Sequence, residues 1–396
     1  AAGVVGYCVG QALPMFVYPL VGNRVRREYP RASTLSDAVG TRYGAPVRAL
    51  VSLVGMFYMG VYLSVELTTI AQNLQVVAHW DLLAGAILVA VCTIAYAAWG
   101  GVRTAIFADR IQVGLIVVLL AVITVLVWQG LAGKPLAGVR AAQPELLEFS
   151  SAGWEMAGCL IIGIVASNLF DNSFWARIFA CRNEAVVRRS FTLAGISIGL
   201  LLIPASLFGW WAIGNANVDN TNVLPFALVQ KVCAPWAAIA ILILALILAM
   251  STLSALFNGI VGVLIADARA LGAAGDARTL RWARIATALL AVPAVWIASW
   301  GRDATYLFFV ANLVCAALVV PVFLGLWAKR LSGGLVFTAF VLALIPGDIV
   351  GTPWLDIPHL TGLGPMFGQR LITSLLLALG VSSAIAITGA VVGRQR

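Results

Sequence analysis

Ala249-Met250-Ser251-Thr252-Leu253-Ser254 lies deep inside an apolar run from about Pro235 to Ala266. Several hydroxyls close together in a helix of hydrocarbon length need a reason. In lipid every polar group must find a partner inside the protein. Ser and Thr can bond back to the carbonyl four residues earlier, or join two helices. Hydroxyl and carbonyl oxygens also suit a small, hard cation. The stretch alone leaves helix packing and cation binding both open.

The surroundings of that run settle the class. The chain is 62% hydrophobic and 10% charged, a balance soluble domains rarely approach. Its 396 residues divide into repeated apolar runs of the length that spans a bilayer as helix. The reading gives eleven spans, about 3–22, 47–76, 82–99, 105–129, 154–176, 190–213, 235–266, 282–300, 304–328, 333–350 and 370–391. No ten-residue alternation suggests a barrel. The expected fold is all-α: one polytopic transmembrane domain over 1–396, with no soluble domain attached.

Charge predicts the orientation. The formal net charge of +9 comes mostly from Arg. One set of alternate loops holds 20 of the Lys and Arg residues, among them Arg24, Arg42, Arg48, Arg110, Arg177, Arg269 and Arg284. The other set holds five: Lys134, Arg140, Lys231, Arg302 and Arg370. The positive-inside rule makes the richer side cytoplasmic. The N-terminus of this chain is then outside and the C-terminus inside, in the cytoplasmic membrane. The basic balance reflects this rule and no nucleic-acid surface, because no basic helix with interleaved aromatics stands apart from the membrane ends. An apolar span starting at residue 3, without an initiating Met or charged n-region, is not a signal peptide. It leads to the expectation of an earlier helix in the natural chain.

The six cysteines, Cys8, Cys92, Cys159, Cys181, Cys233 and Cys315, form no C-x-x-C pair. Neither a disulfide frame nor a zinc site is indicated. Gly195-Ile196-Ser197-Ile198-Gly199 matches G-x-S-x-G, but a nucleophile elbow needs a strand-turn-helix context. The two histidines, His79 and His359, fall in outer loops. No nucleotide-binding loop is present, so uphill transport has to draw on an ion gradient.

Polar residues inside the spans therefore carry the function, since intramembrane ionisable groups usually face a cavity or a partner. Glu66 lies in a span of about 30 residues, or ~45 Å of helix, and so sits within membrane depth. It reads as a substrate or coupling-ion contact, or as a carboxylic acid bonded to a neighbouring helix. Asp109, in Ala108-Asp109-Arg110-Ile111-Gln112, reads as an interfacial partner of Arg103 or Arg110, or as a cation ligand. Asn168-Leu169-Phe170-Asp171-Asn172-Ser173-Phe174-Trp175 is a dense polar patch at the end of a span. It reads as a gate or substrate contact, or as a helix end in the headgroups anchored by Trp175.

Four segments carry a resemblance. Gly100-Gly101-Val102-Arg103 through Asp109 and Gln112 looks like the Gly-Gly…Trp-Thr-Asp…Gln signature of the sodium/solute symporter family. Asp171 to Arg177, with Ala180 and Arg182-Asn183-Glu184-Ala185, is similar to its Asp-Gln…Trp-Gln-Arg…Ala segment. Met250-Ser251-Thr252 through Asp267 resembles its Met-Ser-Thr…Asp stretch in the eighth core helix. Thr34-Leu35-Ser36-Asp37 up to Arg42-Tyr43-Gly44 is similar to its loop after core helix two. All four agree in order and spacing.

The resemblance implies a leucine-transporter-like fold of two five-helix inverted repeats plus accessory helices. It makes 1–129 the remainder of a first repeat lacking its first core helix, 154–328 the second repeat and 333–391 accessory helices. On that alignment residues 1–396 alone lack half of an ion site and should not perform coupled transport. Carried over by position, Ser251 and Thr252 match two side-chain sodium ligands, and the Leu248 carbonyl a backbone ligand. Asp109 matches an aspartate on the sodium release path, which in some members joins Ser254 and a second hydroxyl in another sodium site. Ala255 replaces that second hydroxyl. Asn172 and Ala176 replace two glutamines. Glu66, Asn168, Asp171 and Asn172 are the expected substrate or gate residues.

The implied function is sodium-coupled symport of a small polar organic solute by a monomer in the lipid bilayer. Sodium is the co-transported ion, and no organic cofactor or nucleic acid is expected. Sugars, proline, pantothenate, urea, carboxylates and sialic acid all fall within the implied range. Two rivals are a transporter-like sensor that does not transport, and a membrane-embedded hydrolase using Ser197.

Overall fold

The computed structural model describes residues 2–213, 215–216, 221–274, 277–301, 304–328, 331–351 and 366–392. His359, Lys329, Arg330, Arg394 and Arg396 lie outside them. The described residues are helical and contain no strand. The membrane helices are α1 (Ala2–Glu28), α3 (Ala45–Ala78), α4 (Leu82–Gly130), α6 (Ser151–Asn168), α7 (Asn172–Ala180), α8 (Glu184–Ala212), α10 (Pro235–Ala270), α11 (Ala277–Ser299), α12 (Ala304–Trp327), α13 (Gly333–Gly351) and α14 (Met366–Val392). Shorter helices α2 (Leu35–Tyr43), α5 (Ala137–Ala142) and α9 (Leu224–Val232) lie between them. Among the described residues eight helices are long and apolar enough to cross a bilayer, nine with the bent pair α6–α7. Leu82–Ala95 and Gly333–Ile345 are shorter apolar helices.

Element α4 joins the two spans expected at 82–99 and 105–129, yet it folds back on itself. Gly85, near its start, packs on Leu74 of α3, and Gly130, at its end, packs on Val232 of α9. Gln230 of α9 in turn donates to the Val76 carbonyl of α3 at 3.3 Å. Ile94 and Ile106 both line spaces beside Asn258 of α10. Both ends of α4 thus meet one end of α3, and the chain reverses between Ile94 and Ile106.

Helix α3 runs through the middle of the bundle, packed on α4, α10, α11 and α12, while α1 packs on α6 and α8. Close approach of α1 and α6 depends on small residues: a Cβ on Gly6 would sit 2.3 Å from the Ala157 Cα. With no hydrophobic drive between helices in lipid, such contacts supply packing in its place. Helices α13 and α14 pair with each other, and α14 returns to α12 and α6.

Many of the basic side chains assigned to one set of loops gather at one end of the bundle. Arg42 donates to the carbonyls of Gly325, in the last turn of α12, and of Ala328 and Leu331 beyond it, at 3.1–3.2 Å. Arg48 reaches Asp37 at 2.7 Å and Asp267 at 3.0 Å, tying α2, α3 and α10 together. Arg27 meets Glu184 at 3.2 Å. Thr34 caps α2 by accepting from the Asp37 amide at 3.1 Å. Burial pushes the Tyr43 phenol up, so it remains a donor to the Pro321 and Val322 carbonyls at 3.2 Å.

Candidate functional site

The polar patch at 168–175 is a break in a membrane helix. α6 stops at Asn168, α7 starts at Asn172, and the two are bent by 53°. A break frees backbone groups that lipid cannot satisfy. Tyr18 of α1 donates to the Asn168 carbonyl, and the Trp175 indole to the Leu169 carbonyl at 2.8 Å. The Asp171 carboxylate caps α7, accepting from the Ser173 amide at 2.7 Å. Trp175 is fully buried (0% exposed) and stacks on Phe323 at 6.2 Å. It is therefore no headgroup anchor. The alternative of a helix end in the headgroups gives way because tertiary partners, not water, receive the freed carbonyls.

The hydroxyl stretch of α10 faces this break. Ser251 Oγ donates to Asp109 Oδ1 at 2.7 Å. Arg177 of α7 donates to Asp109 Oδ2 at 3.0 Å. Asp109 thus joins α4, α7 and α10, and its cationic partner is sixty-eight residues away in sequence. Thr252 Oγ1 donates to the Leu248 carbonyl at 3.2 Å. Both hydroxyls spend their proton on an acceptor and keep lone pairs for a cation. Ser254 turns back to the Ser251 carbonyl at 3.0 Å and sits beside Asp109 only through its neighbour. Asn172 donates to the Gly259 carbonyl at 3.0 Å, seating α7 on α10 where a Cβ on Gly259 would lie 3.0 Å from the Ser173 amide nitrogen.

Ser251, Thr252, Asn168, Asp171 and Arg177 line a cavity of about 220 Å³ with Gln11, Tyr58, Tyr62 and Phe308. Gln11, Tyr62 and Thr252 also line a second cavity of about 540 Å³, which holds Glu66 and Leu248. This larger space includes Asn73 and Asn222, at the end of the bundle away from Arg42 and Arg48. Toward the basic end the space between Ile106, Ala176, Arg177 and Gly259 shrinks to about 10 Å³. Glu66 therefore shares the larger chamber with Thr252 and Leu248, while Ser251 lines the smaller cavity. Gln11, Tyr18, Tyr58 and Phe308 escape a reading of the sequence. Their one signal is a polar or aromatic side chain in an apolar run.

Ser197 lies within the uninterrupted helix α8, which provides no strand-turn-helix elbow. Among the described residues no group of three His, Cys, Asp or Glu side chains could hold a metal ion. The oxygens at Ser251 and Thr252 are of the neutral kind that suits a transported alkali cation.

A helical bundle around a broken membrane helix, with a polar cavity at the break, defines a secondary transporter fold. The chain matches the model of the sodium:solute symporter family over residues 3–339 and belongs to that family, whose members are transporters and not enzymes. The spermidine transporter DUR31 of Candida albicans is 25% identical over 358 residues, 88% of this chain and 67% of that protein. A substrate-bound, outward-open sodium-coupled sialic acid symporter superposes with a TM-score of 0.73 at 15% identity, covering 100% of this chain and 86% of that one. A nucleobase-cation-symport-1 family transporter, closed with bromovinylhydantoin bound, gives 0.57 at 13% identity, covering 98% of this chain and 86% of that one. The fold is the leucine-transporter-like bundle of multi-span transporters.

Proposed function

We propose that the chain moves a small polar organic solute together with sodium across the cytoplasmic membrane by alternating access. The observation that carries this reading is the polar cavity shared by the break at 168–172 and the hydroxyls Ser251 and Thr252. Sodium is held by Ser251, Thr252 and the Leu248 carbonyl, with Asp109 on its way out. A hard cation wants about six oxygens, so backbone carbonyls or the solute complete the shell. Residues 1–129 and 154–328 form the two repeats, 333–391 the accessory helices, and the chain crosses the bilayer eleven times.

The open chamber lies at the end with few basic residues, and the narrow passage at the end rich in them. The positive-inside rule makes the open side external, with the N-terminus outside and the C-terminus inside. Sodium and solute then enter through the Glu66 chamber and settle between α3, α6 and α10. Sodium shifts the balance of states only by its differential affinity for them. The cavities are lined by helices of one chain, which fits a monomeric transport unit.

Proteoliposomes holding the full natural protein test the reading, since residues 1–396 alone are not expected to couple. An inward sodium gradient should drive accumulation of at least one labelled solute from a panel of amino acids, sugars, carboxylates and amines. A potassium gradient of equal size should not. Accumulation indifferent to sodium would overturn the coupling. A panel untouched in either gradient would favour a sensor.

A further inference from the structure

The chamber around Glu66 has chemistry of its own. Tyr62, Glu66, Thr69 and Asn73 recur at spacings of four, three and four on α3, and all four line the 540 Å³ cavity. This spacing puts them on one face of the helix. Glu66 is, among the described residues, the only charged side chain lining it. Among the described residues no cationic side chain pairs with Glu66, since the ion pairs lie elsewhere.

A second observation is independent of the carboxylate. Asn73 is 1% exposed, and its amide nitrogen donates to the Thr69 carbonyl at 2.9 Å. Its Oδ1 is buried without a partner. Thr69 spends its own hydroxyl proton on the Val65 carbonyl at 3.0 Å. The face is therefore rich in acceptors. A buried, unpartnered acceptor is costly unless something meets it. Tyr62 and Tyr7 add aromatic surface beside the carboxylate, which suits a cation on a carbon stem.

We propose that this face recognises an organic ammonium: Glu66 takes the charged nitrogen, and the Asn73 carbonyl oxygen accepts a further N–H. The ligand belongs to the amine class, with an aliphatic stem along the apolar wall and no need for an acceptor of its own. The proposal rests on the transporter reading above and names its substrate class. Thr252 and Leu248, two of the sodium ligands proposed above, line the same chamber, and Ser251 lines the adjoining cavity, so the ammonium and the sodium occupy neighbouring parts of one polar space.

Equilibrium binding of labelled putrescine and labelled spermidine to the purified full chain tests this, in sodium and in potassium buffer. The expected result is saturable binding that 1,4-butanediol, the uncharged analogue of putrescine, does not displace. Glu66→Gln should weaken it roughly 10- to 150-fold, the span expected for one hydrogen bond to a charged group. Asn73→Ala leaves the carboxylate in place and should weaken it by a smaller factor, about 3- to 10-fold. Cooperative melting of each variant checks that it is folded. No saturable binding of either amine, equal binding by Glu66→Gln, or displacement by the diol would each overturn the proposal. Binding that is equal in sodium and potassium would leave the amine site standing and remove the coupling instead.

Discussion

At the basic end of the bundle Arg48 holds two carboxylates on two other helices, Asp37 at 2.7 Å and Asp267 at 3.0 Å. At the opposite end Gln72 makes neutral bonds, to the Gly301 carbonyl at 3.0 Å and from Asn222 at 2.9 Å. The first end leaves about 10 Å³ between α4, α7 and α10 and a separate space of about 220 Å³ between α4, α10 and α11, and the second opens a chamber of about 540 Å³. Breaking one partner of a half-buried ion pair strands the other charges. Gln72 is itself buried, at 4% exposed, but breaking its bonds strands no charge. A transporter that opens one end at a time needs such an asymmetry: the closed end carries the larger release energy, and the open end stays permissive.

The largest expected effect concerns which compartment each end faces. In a background without native cysteines, Asn215→Cys should react completely with an impermeant reagent added outside intact cells. Ala274→Cys should not react until the cells are opened. Reaction of Ala274→Cys from outside would reverse the comparison.

Next comes the seal itself. Arg48→Ala removes a cation shared by two partly exposed carboxylates, at a cost of roughly 2–3 kcal/mol. The population open at the basic end should rise roughly 30- to 150-fold. Modification of Asn258→Cys in inside-out vesicles would report it as a faster rate. An unchanged rate would show that Arg48 holds helices together without closing the passage.

The smallest effect belongs to the open end. Gln72→Ala should lower stability by about 1–3 kcal/mol and leave the modification rate of Asn258→Cys near that of the parent. A rise matching Arg48→Ala would mean that both ends are sealed by comparable means, and the asymmetry would be lost.

The sequence alone exposes the helical membrane class, because repeated apolar runs of bilayer length would leave a soluble fold with too little polar surface. The hydroxyls at 251–254 and the carboxylate at 109 also stand out, since polar atoms in lipid must be used. What stays hidden is which distant group uses them. Asp109 could be paired on paper with the nearby Arg110, whereas the fold hands it Arg177. The patch at 168–175 carries the composition of a headgroup boundary as readily as that of a broken helix. Only Tyr18 and Trp175, arriving from α1 and from the far side of the break, distinguish the two. The segment that forms α4 reads in the sequence as two spans, and its two ends do meet the same end of α3.

The most direct measurement is a sodium titration of solute uptake in the reconstituted full natural protein, with Ser251→Ala and Thr252→Ala beside the parent. Each substitution removes one oxygen from a cation held mostly by neutral ligands. A lost contact of roughly 1–3 kcal/mol corresponds to about 5- to 150-fold in affinity. Half-maximal sodium should rise by that factor in each variant, with maximal uptake less affected. Sodium dependence unchanged in both would contradict a sodium site at these hydroxyls.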